Sequence, residues 1–230
     1  MSQTHFDLHI SNARDYYDSG NYEAARLAAE HALGCAPESR AVEAKTLLAL
    51  SLRHLEFDDE AFGLLSEIVQ DKPIPEACAE YALMRSERGL CDEECLKYAE
   101  KAVEEDPDLP SAYIALFGYY STQNAYEQAL NNLIRGMRRG ADFPEARAFE
   151  TVRIWCQQAC DRGEFRQALD ISTPVTDYFR SLDFLILHAR LAEFADEPRI
   201  AVAYYKEALA HLRPGSMRVD VLEAIARIAQ

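Results

Sequence analysis

The chain has 230 residues, of which 49% are hydrophobic, and it carries a formal net charge of −15 with a sequence pI of about 4.8. This apolar content excludes a disordered chain, and the negative charge makes nucleic acids and anionic membrane surfaces poor partners. No run of 18 apolar residues and no basic leader is visible, so a cytoplasmic protein that does not cross a membrane is expected.

Segments of similar sequence recur along the chain. The first three align without gaps: GNYEAARLAAEHALGCAP (Gly20 to Pro37), EFDDEAFGLLSEIVQDKP (Glu56 to Pro73) and LCDEECLKYAEKAVEEDP (Leu90 to Pro107). Three later segments continue the pattern, and one small residue marks each of the six: Ala25, Ala61, Cys95, Ala129, Ala168 and Ala201. The spacing between these residues, 33 to 39, is typical of a repeated helix pair with its turns.

Each segment follows a second stretch with apolar residues three and four positions apart, which predicts another helix. Proline is tolerated in a first helical turn, and Pro75, Pro110 and Pro144 fall at the predicted helix starts. Asp92 and Asp196 stand where an N-cap is expected. No strand-like alternation occurs, so the fold class is all-α.

The pattern resembles the tetratricopeptide repeat family over roughly residues 6 to 214. Pairs such as Ala25/Ala32 and Cys95/Ala102 match its second helix, and closing prolines follow at the ends of the first three units. The resemblance implies a right-handed superhelical array of helix-turn-helix repeats in a single domain, residues 1–230. The expected repeats span 6–39, 42–75, 76–109, 110–143, 149–182 and 182–215, followed by a capping helix at 217–230.

Two places depart from a uniform array. Pro174 falls inside the second helix of the fifth unit, where it should kink or end the helix. In the C-terminal helix, Val219, Leu222, Ile225 and Ile228 are expected on one face, which would cover the last apolar edge of the array. Dimerisation through this helix is the alternative.

The sequence contains no phosphate-binding glycine loop, nucleophile elbow or HExxH motif, so no catalytic residue, cofactor or metal is assigned and an enzyme is not expected. Cys91/Cys95 and Cys156/Cys160 could each hold two ligands of a metal site. However, Cys95 and Cys156 occupy positions that hold alanine in other units, where cysteine serves as a small apolar residue. Structural packing is therefore favoured over a metal or redox role.

In the tetratricopeptide family the first helices line a concave groove, and the resemblance implies a partner-binding groove here. Its residues would be Tyr17, Leu47, Leu50, Arg53, Tyr81, Met84, Arg88, Ile114, Gly118, Arg153 and Arg190. The apolar members would form a continuous exposed stripe, unless neighbouring helices half-bury them. The arginines could clamp acidic groups of a partner, although the nearby carboxylates of Asp7, Glu43, Glu80 and Glu150 could already neutralise them.

These features predict a non-enzymatic adaptor or chaperone-like module that binds another protein. The bound element would be a linear peptide or an amphipathic helix. The alternative is a scaffold that self-assembles through its C-terminal helix or array ends, so a homo-oligomer is a second expectation.

Overall fold

A computed structural model describes residues 2–228, and thirteen α-helices without a strand make up this described part of the chain. The helices are α1 Ser2–Asp18, α2 Tyr22–Cys35, α3 Ala41–His54, α4 Asp58–Asp71, α5 Pro75–Glu87, α6 Glu93–Glu105, α7 Pro110–Thr122, α8 Tyr126–Met137, α9 Glu145–Asp161, α10 Phe165–Phe179, α11 Leu182–Phe194, α12 Pro198–His211 and α13 Ser216–Ile228. A short 3-10 turn, Glu38–Arg40, precedes α3. The expected all-α array of helix pairs is confirmed.

The helices form two compact units, Met1–Tyr119 and Tyr120–Gln230. In the first unit, each helix from α1 to α6 packs on the next, and α3 also contacts α1 and α5. In the second, the helices from α8 to α13 pack in the same consecutive manner, and α11 also contacts α9. Neighbour-to-neighbour packing of this kind lets each pair bury its apolar face against the next pair. The single domain remains a prediction.

The six small residues that mark the repeats all lie in the interior of the packed helices. Ala25, Ala61, Cys95, Ala129, Ala168 and Ala201 are completely buried. A small side chain at each crossing lets two helix backbones approach closely, and a larger one would separate them. The small-residue spacing therefore indicated the fold correctly.

Replacing Ala129 by leucine is expected to lower the free energy of unfolding by about 1–3 kcal/mol, because the added atoms must displace the packed helices around α8. Urea denaturation measures the effect. Exchanging the exposed Gln128 for leucine is the control, since the same side chain one residue earlier meets solvent. A fully stable Ala129→Leu variant would contradict the close crossing.

The turn inside each helix pair has one recurring geometry. A residue with positive φ ends the first helix of all six pairs: Gly20, Glu56, Gly89, Asn124, Gly163 and Asp196. The backbone N–H of the next residue then donates to the carbonyl five positions back, as from Asn21 to Tyr16 at 2.9 Å. This bond satisfies a carbonyl at the helix end and directs the chain into the second helix.

Helix starts agree with the sequence except at Asp196. Asp92 caps α6, its carboxylate accepting the Cys95 N–H at 3.0 Å. Pro75 and Pro110 begin α5 and α7, and Pro144 is the residue before α9. The N-cap prediction for Asp196 was wrong, because this residue takes the left-handed turn position with φ of 56° and Glu197 precedes α12.

Pro174 does not end its helix, since α10 continues to Phe179. Proline lacks the N–H that would bond to the carbonyl of Asp170, a residue exposed to solvent. Just before it, the hydroxyl groups of Ser172 and Thr173 both donate to the carbonyl of Leu169, at 3.0 and 2.8 Å. Because Asp170 is on the exposed side of α10, water is expected to replace the hydrogen bond that proline cannot make.

The C-terminal helix α13 packs on α12, but with a different face from the one expected. Val221 and Ala224 are buried, and Ile225 and Ile228 are half-buried. Val219 and Leu222 are exposed, so placing them on the covered face was wrong. The helix is rotated about its axis relative to the expected orientation, because the sequence alone did not show which of its residues contact α12. Residues 229 and 230 of the expected cap lie outside the described part.

Candidate partner-binding surface

Aromatic side chains meet where the first two helix pairs turn. The Tyr17 hydroxyl at the end of α1 lies 3.0 Å from Nε2 of His54 at the end of α3. The ring of Tyr22, at the start of α2, stacks on the His54 ring with centroids 4.0 Å apart and an interplanar angle of 5°. Burial raises the pKa of Tyr17 to about 12, and desolvation lowers the pKa of His54. Both shifts favour the neutral form of these two side chains.

Two arginines of the predicted groove, Arg53 and Arg88, are already paired with carboxylates of the chain. Arg53 contacts Glu80 at 3.3 Å and Glu87 at 2.8 Å. Arg88 contacts Asp59 at 2.9 Å, and its guanidinium lies 4.3 Å from the centre of the Phe62 ring. Since their charges are compensated within the first unit, these arginines are poor clamps for an acidic partner.

The other suspected neutralising carboxylates are also paired. Glu150 contacts the predicted groove residue Arg153 at 2.6 Å. Asp7 and Glu43 both contact Arg40. Arg153 and Arg190 are exposed, and both belong to the second unit, whereas the other predicted groove residues belong to the first.

The predicted apolar stripe is largely buried. Leu47, Tyr81 and Met84 are only 8%, 3% and 2% exposed, and Gly118 is buried too. Leu50 and Ile114 are half-buried, as is Tyr17. The expected continuous exposed stripe was therefore wrong, because α5 is covered by α3, α4 and α6 and uses Tyr81 and Met84 as core residues. The half-buried interpretation underestimated how completely they are covered.

A cleft with a volume of about 440 Å³ opens beside the ion pairs of Arg88 with Asp59 and of Arg53 with Glu87. It is lined by Glu56, Asp58, Asp59, Met84, Glu87 and Arg88. Sequence reasoning selected only Met84 and Arg88 of these residues. Their convergence depends on the turn between α3 and α4, which brings Glu56, Asp58 and Asp59 opposite the end of α5.

Cys78, Cys95 and Cys156 are buried thiols. Sγ of Cys95 lies 3.4 Å from the carbonyl oxygen of Ala82, and Sγ of Cys156 lies 3.9 Å from that of Ala168. Burial raises the pKa of both thiols to about 12 and that of Cys78 to about 11. A nucleophilic thiolate is therefore disfavoured at all three positions.

Cys95 and Cys156 are expected to react with a disulfide reagent on the order of a thousandfold more slowly than an ordinary cysteine at pH 8, and Cys78 on the order of a hundredfold more slowly, since so few of these thiols are ionised. Mass mapping of the labelled native protein measures this, and the half-buried Cys35 and Cys91 are internal controls. In denaturant all six cysteines should react. Rapid labelling of native Cys95 or Cys156 would contradict their packing role.

Within the described residues, no group of three or more His, Cys, Asp and Glu side chains is arranged to hold a metal ion. None of the described helices is both long and apolar enough to span a membrane.

Solved structures similar to the chain include PilF of Pseudomonas aeruginosa, with a TM-score of 0.67 at 18% identity, covering 97% of this chain and 98% of that one. PilW, described as a widely conserved type IV pilus biogenesis factor, has a TM-score of 0.56 at 19% identity, covering 94% and 98%. A chain of the APC/C hetero-tetramer Cut9–Hcn1 has a TM-score of 0.53 at 12% identity, covering 98% and 43%. The chain has the tetratricopeptide-repeat fold. No protein-family model and no curated protein matches it.

Proposed function

We propose that the chain is a non-enzymatic protein-interaction module, an adaptor or chaperone-like protein, that binds a linear or helical segment of a partner. The observation that carries this proposal is the face of the first unit on which Tyr17, Tyr22 and His54 meet beside Arg53 and the cleft. Aromatic rings next to polar groups are typical of surfaces that bind a protein segment.

The fold supports the same conclusion. Repeated helix pairs present an extended surface on which a peptide or a helix can lie. One chain with this fold was solved in a hetero-tetramer, Cut9–Hcn1, in which it assembles with another protein. The buried thiols, with their raised pKa values, favour binding over nucleophilic catalysis.

The originally predicted groove is reduced by the burial of its apolar members. We propose that Tyr17, Leu50, Arg53 and Arg88 contact the partner directly, because they are half-buried or exposed. Leu47, Tyr81, Met84 and Gly118 would instead support the surface from beneath. Ile114, Arg153 and Arg190 remain predicted contacts.

Affinity capture with two matched double variants tests the proposal. His54→Ser with Leu50→Ser removes two uncharged groups of this face, whereas His31→Ser with Leu27→Ser removes the same kinds of group from elsewhere in the first unit. We expect a partner retained by the original chain and by the second variant, but bound at least about tenfold more weakly by the first. If both variants retained the partner equally well, the binding surface would have to lie elsewhere on the chain.

Self-assembly through α13 remains the alternative. Met217, Val219 and Leu222 are exposed on this helix, and a second copy would cover such residues. Light scattering at several protein concentrations distinguishes the two functions, because an adaptor stays monomeric without its partner. A cytoplasmic location also remains a prediction, which fractionation of the native cells would test.

A further inference from the structure

The acidic charge of the chain is concentrated in the first unit. Residues 1–119 contain 24 Asp and Glu against 10 Lys and Arg, a net charge of −14. Residues 120–230 contain 15 against 14, a net charge of −1. The two units have the same kind of fold, so the fold does not require this difference, and it adds a strong field to the unit that bears the aromatic face.

The cleft in this unit keeps negative charge after its internal pairing. Asp59 pairs with Arg88 and Glu87 with Arg53. Within the described residues, the side chains of Glu56 and Asp58 form no ion pair, although both line the cleft. A cleft wall with uncompensated carboxylates attracts cations more strongly than a flat acidic surface does, because the surrounding protein focuses the field.

The aromatic cluster and the cleft are linked through the end of α3, where Arg53, next to His54 in the chain, pairs with Glu87 of the cleft lining. His54 ends α3, Glu56 is the left-handed residue of the following turn, and Asp58 begins α4. The face of an aromatic ring attracts a guanidinium or ammonium group, as the contact between Arg88 and Phe62 illustrates within the chain. Rings and carboxylates along one surface together suit long cationic side chains, whose apolar stems also need a place to lie.

We infer that the segment bound on this face of the first unit is basic, with arginine or lysine side chains that enter the cleft beside Glu56 and Asp58. This inference rests on the proposed function and names the chemical class of its partner. An acidic segment fits poorly, since Arg53 and Arg88 are already paired and the unit as a whole would repel it.

Two synthetic helical peptides of 18 residues test the inference, sharing a leucine face but carrying either arginine or glutamate on the polar face. Fluorescence anisotropy with the full chain measures binding. We expect the arginine peptide to bind with about micromolar affinity and the glutamate peptide at least about tenfold more weakly. Raising the salt concentration should weaken the first complex, because screening shortens the reach of the cleft carboxylates.

Matched charge variants separate the cleft from the general acidity of the chain. Glu56→Gln, Asp58→Asn and Glu87→Gln together should weaken the arginine peptide at least about fivefold. Glu30→Gln, Glu38→Gln and Glu76→Gln remove three exposed carboxylates elsewhere in the same unit, and should change affinity less than about twofold. Thermal unfolding of both triple variants confirms that each is folded.

Equal binding of the two peptides, or an equal loss in both triple variants, would overturn the inference. The capture experiment distinguishes this failure from failure of the proposed function. A captured partner that binds this face through a neutral or acidic segment leaves the function intact and refutes the basic segment alone, whereas loss of the function would appear as no partner specific to the face.

Discussion

Replacing Tyr81 by alanine is expected to destabilise the chain by about 3–5 kcal/mol, the range for removing a large buried aromatic side chain. Its ring stacks on Phe62 of α4 with centroids 5.1 Å apart and meets Tyr98 of α6 edge-on at 5.4 Å. Its hydroxyl accepts a hydrogen bond from Arg85 at 3.0 Å. The side chain therefore joins three helices of the first unit.

Tyr81→Phe is the matched control, because it keeps the ring and removes only the hydroxyl. Arg85 retains its contacts with Asp92 at 2.6 Å and Glu94 at 2.8 Å, so the expected loss is about 1 kcal/mol. Urea denaturation followed by helical circular dichroism measures both variants. A stable Tyr81→Ala variant with weakened partner binding would show instead that the ring is an exposed contact, as the sequence first suggested.

The second unit is expected to lose about 2 kcal/mol of stability between pH 7.5 and pH 5 through His188 alone. This ring is almost completely buried in α11 and hydrogen-bonds through Nδ1 with the Ser172 hydroxyl at 2.7 Å. Burial lowers its pKa to about 4, against the opposing effect of Asp177 on α10. The Tyr204 ring of α12, whose hydroxyl donates to Asp177, covers it from the other side at 4.2 Å.

The direction of the effect follows from the two pKa values. Between about pH 6.5 and pH 4 the unfolded chain binds a proton at this imidazole and the folded chain does not, so acid favours unfolding. The full stability is therefore present above about pH 6.5, and the part that depends on a neutral His188 is lost as the pH falls towards 4.

Fluorescence of Trp155, the only tryptophan, reports unfolding of this unit. His188→Leu is the control, since leucine fills much of the same space and cannot be protonated. The difference in stability between the two proteins should change with pH in the stated window. A difference that stays constant from pH 7.5 to 5 would show that the imidazole is not held neutral.

Sequence reasoning recovered the fold because its signal recurs. A small residue near every thirty-fourth position marks a helix crossing whichever side chains surround it, so Cys95 could be interpreted from its alanine counterparts. The positive φ of Glu56 was not visible in this way, since glutamate has no preference for the left-handed conformation. Only the structure shows that it takes the place glycine holds in other units.

Burial within the groove was harder to predict. Met84 lies in the last turn of α5 and Arg88 follows the helix directly, one turn later, yet Met84 is buried and Arg88 is exposed. The difference in burial between Met84 and Arg88 depends on how far α4 and α6 extend over α5. Helical periodicity in the sequence does not give this information. The charge difference between the two units was present in the sequence. However, no linker marks the boundary near Tyr119, so the sequence alone did not show where to divide the chain when counting charged residues.

Site-specific photo-cross-linking tests most directly whether a partner binds the face of the first unit that carries Tyr17, Tyr22 and His54. A benzophenone amino acid would replace His54, which is exposed on this face, or Glu30, which is exposed on α2. After irradiation in the native cells, we predict a discrete adduct with one partner protein from position 54 and none from position 30. Adducts from position 30 alone, or from neither position, would contradict binding on this face.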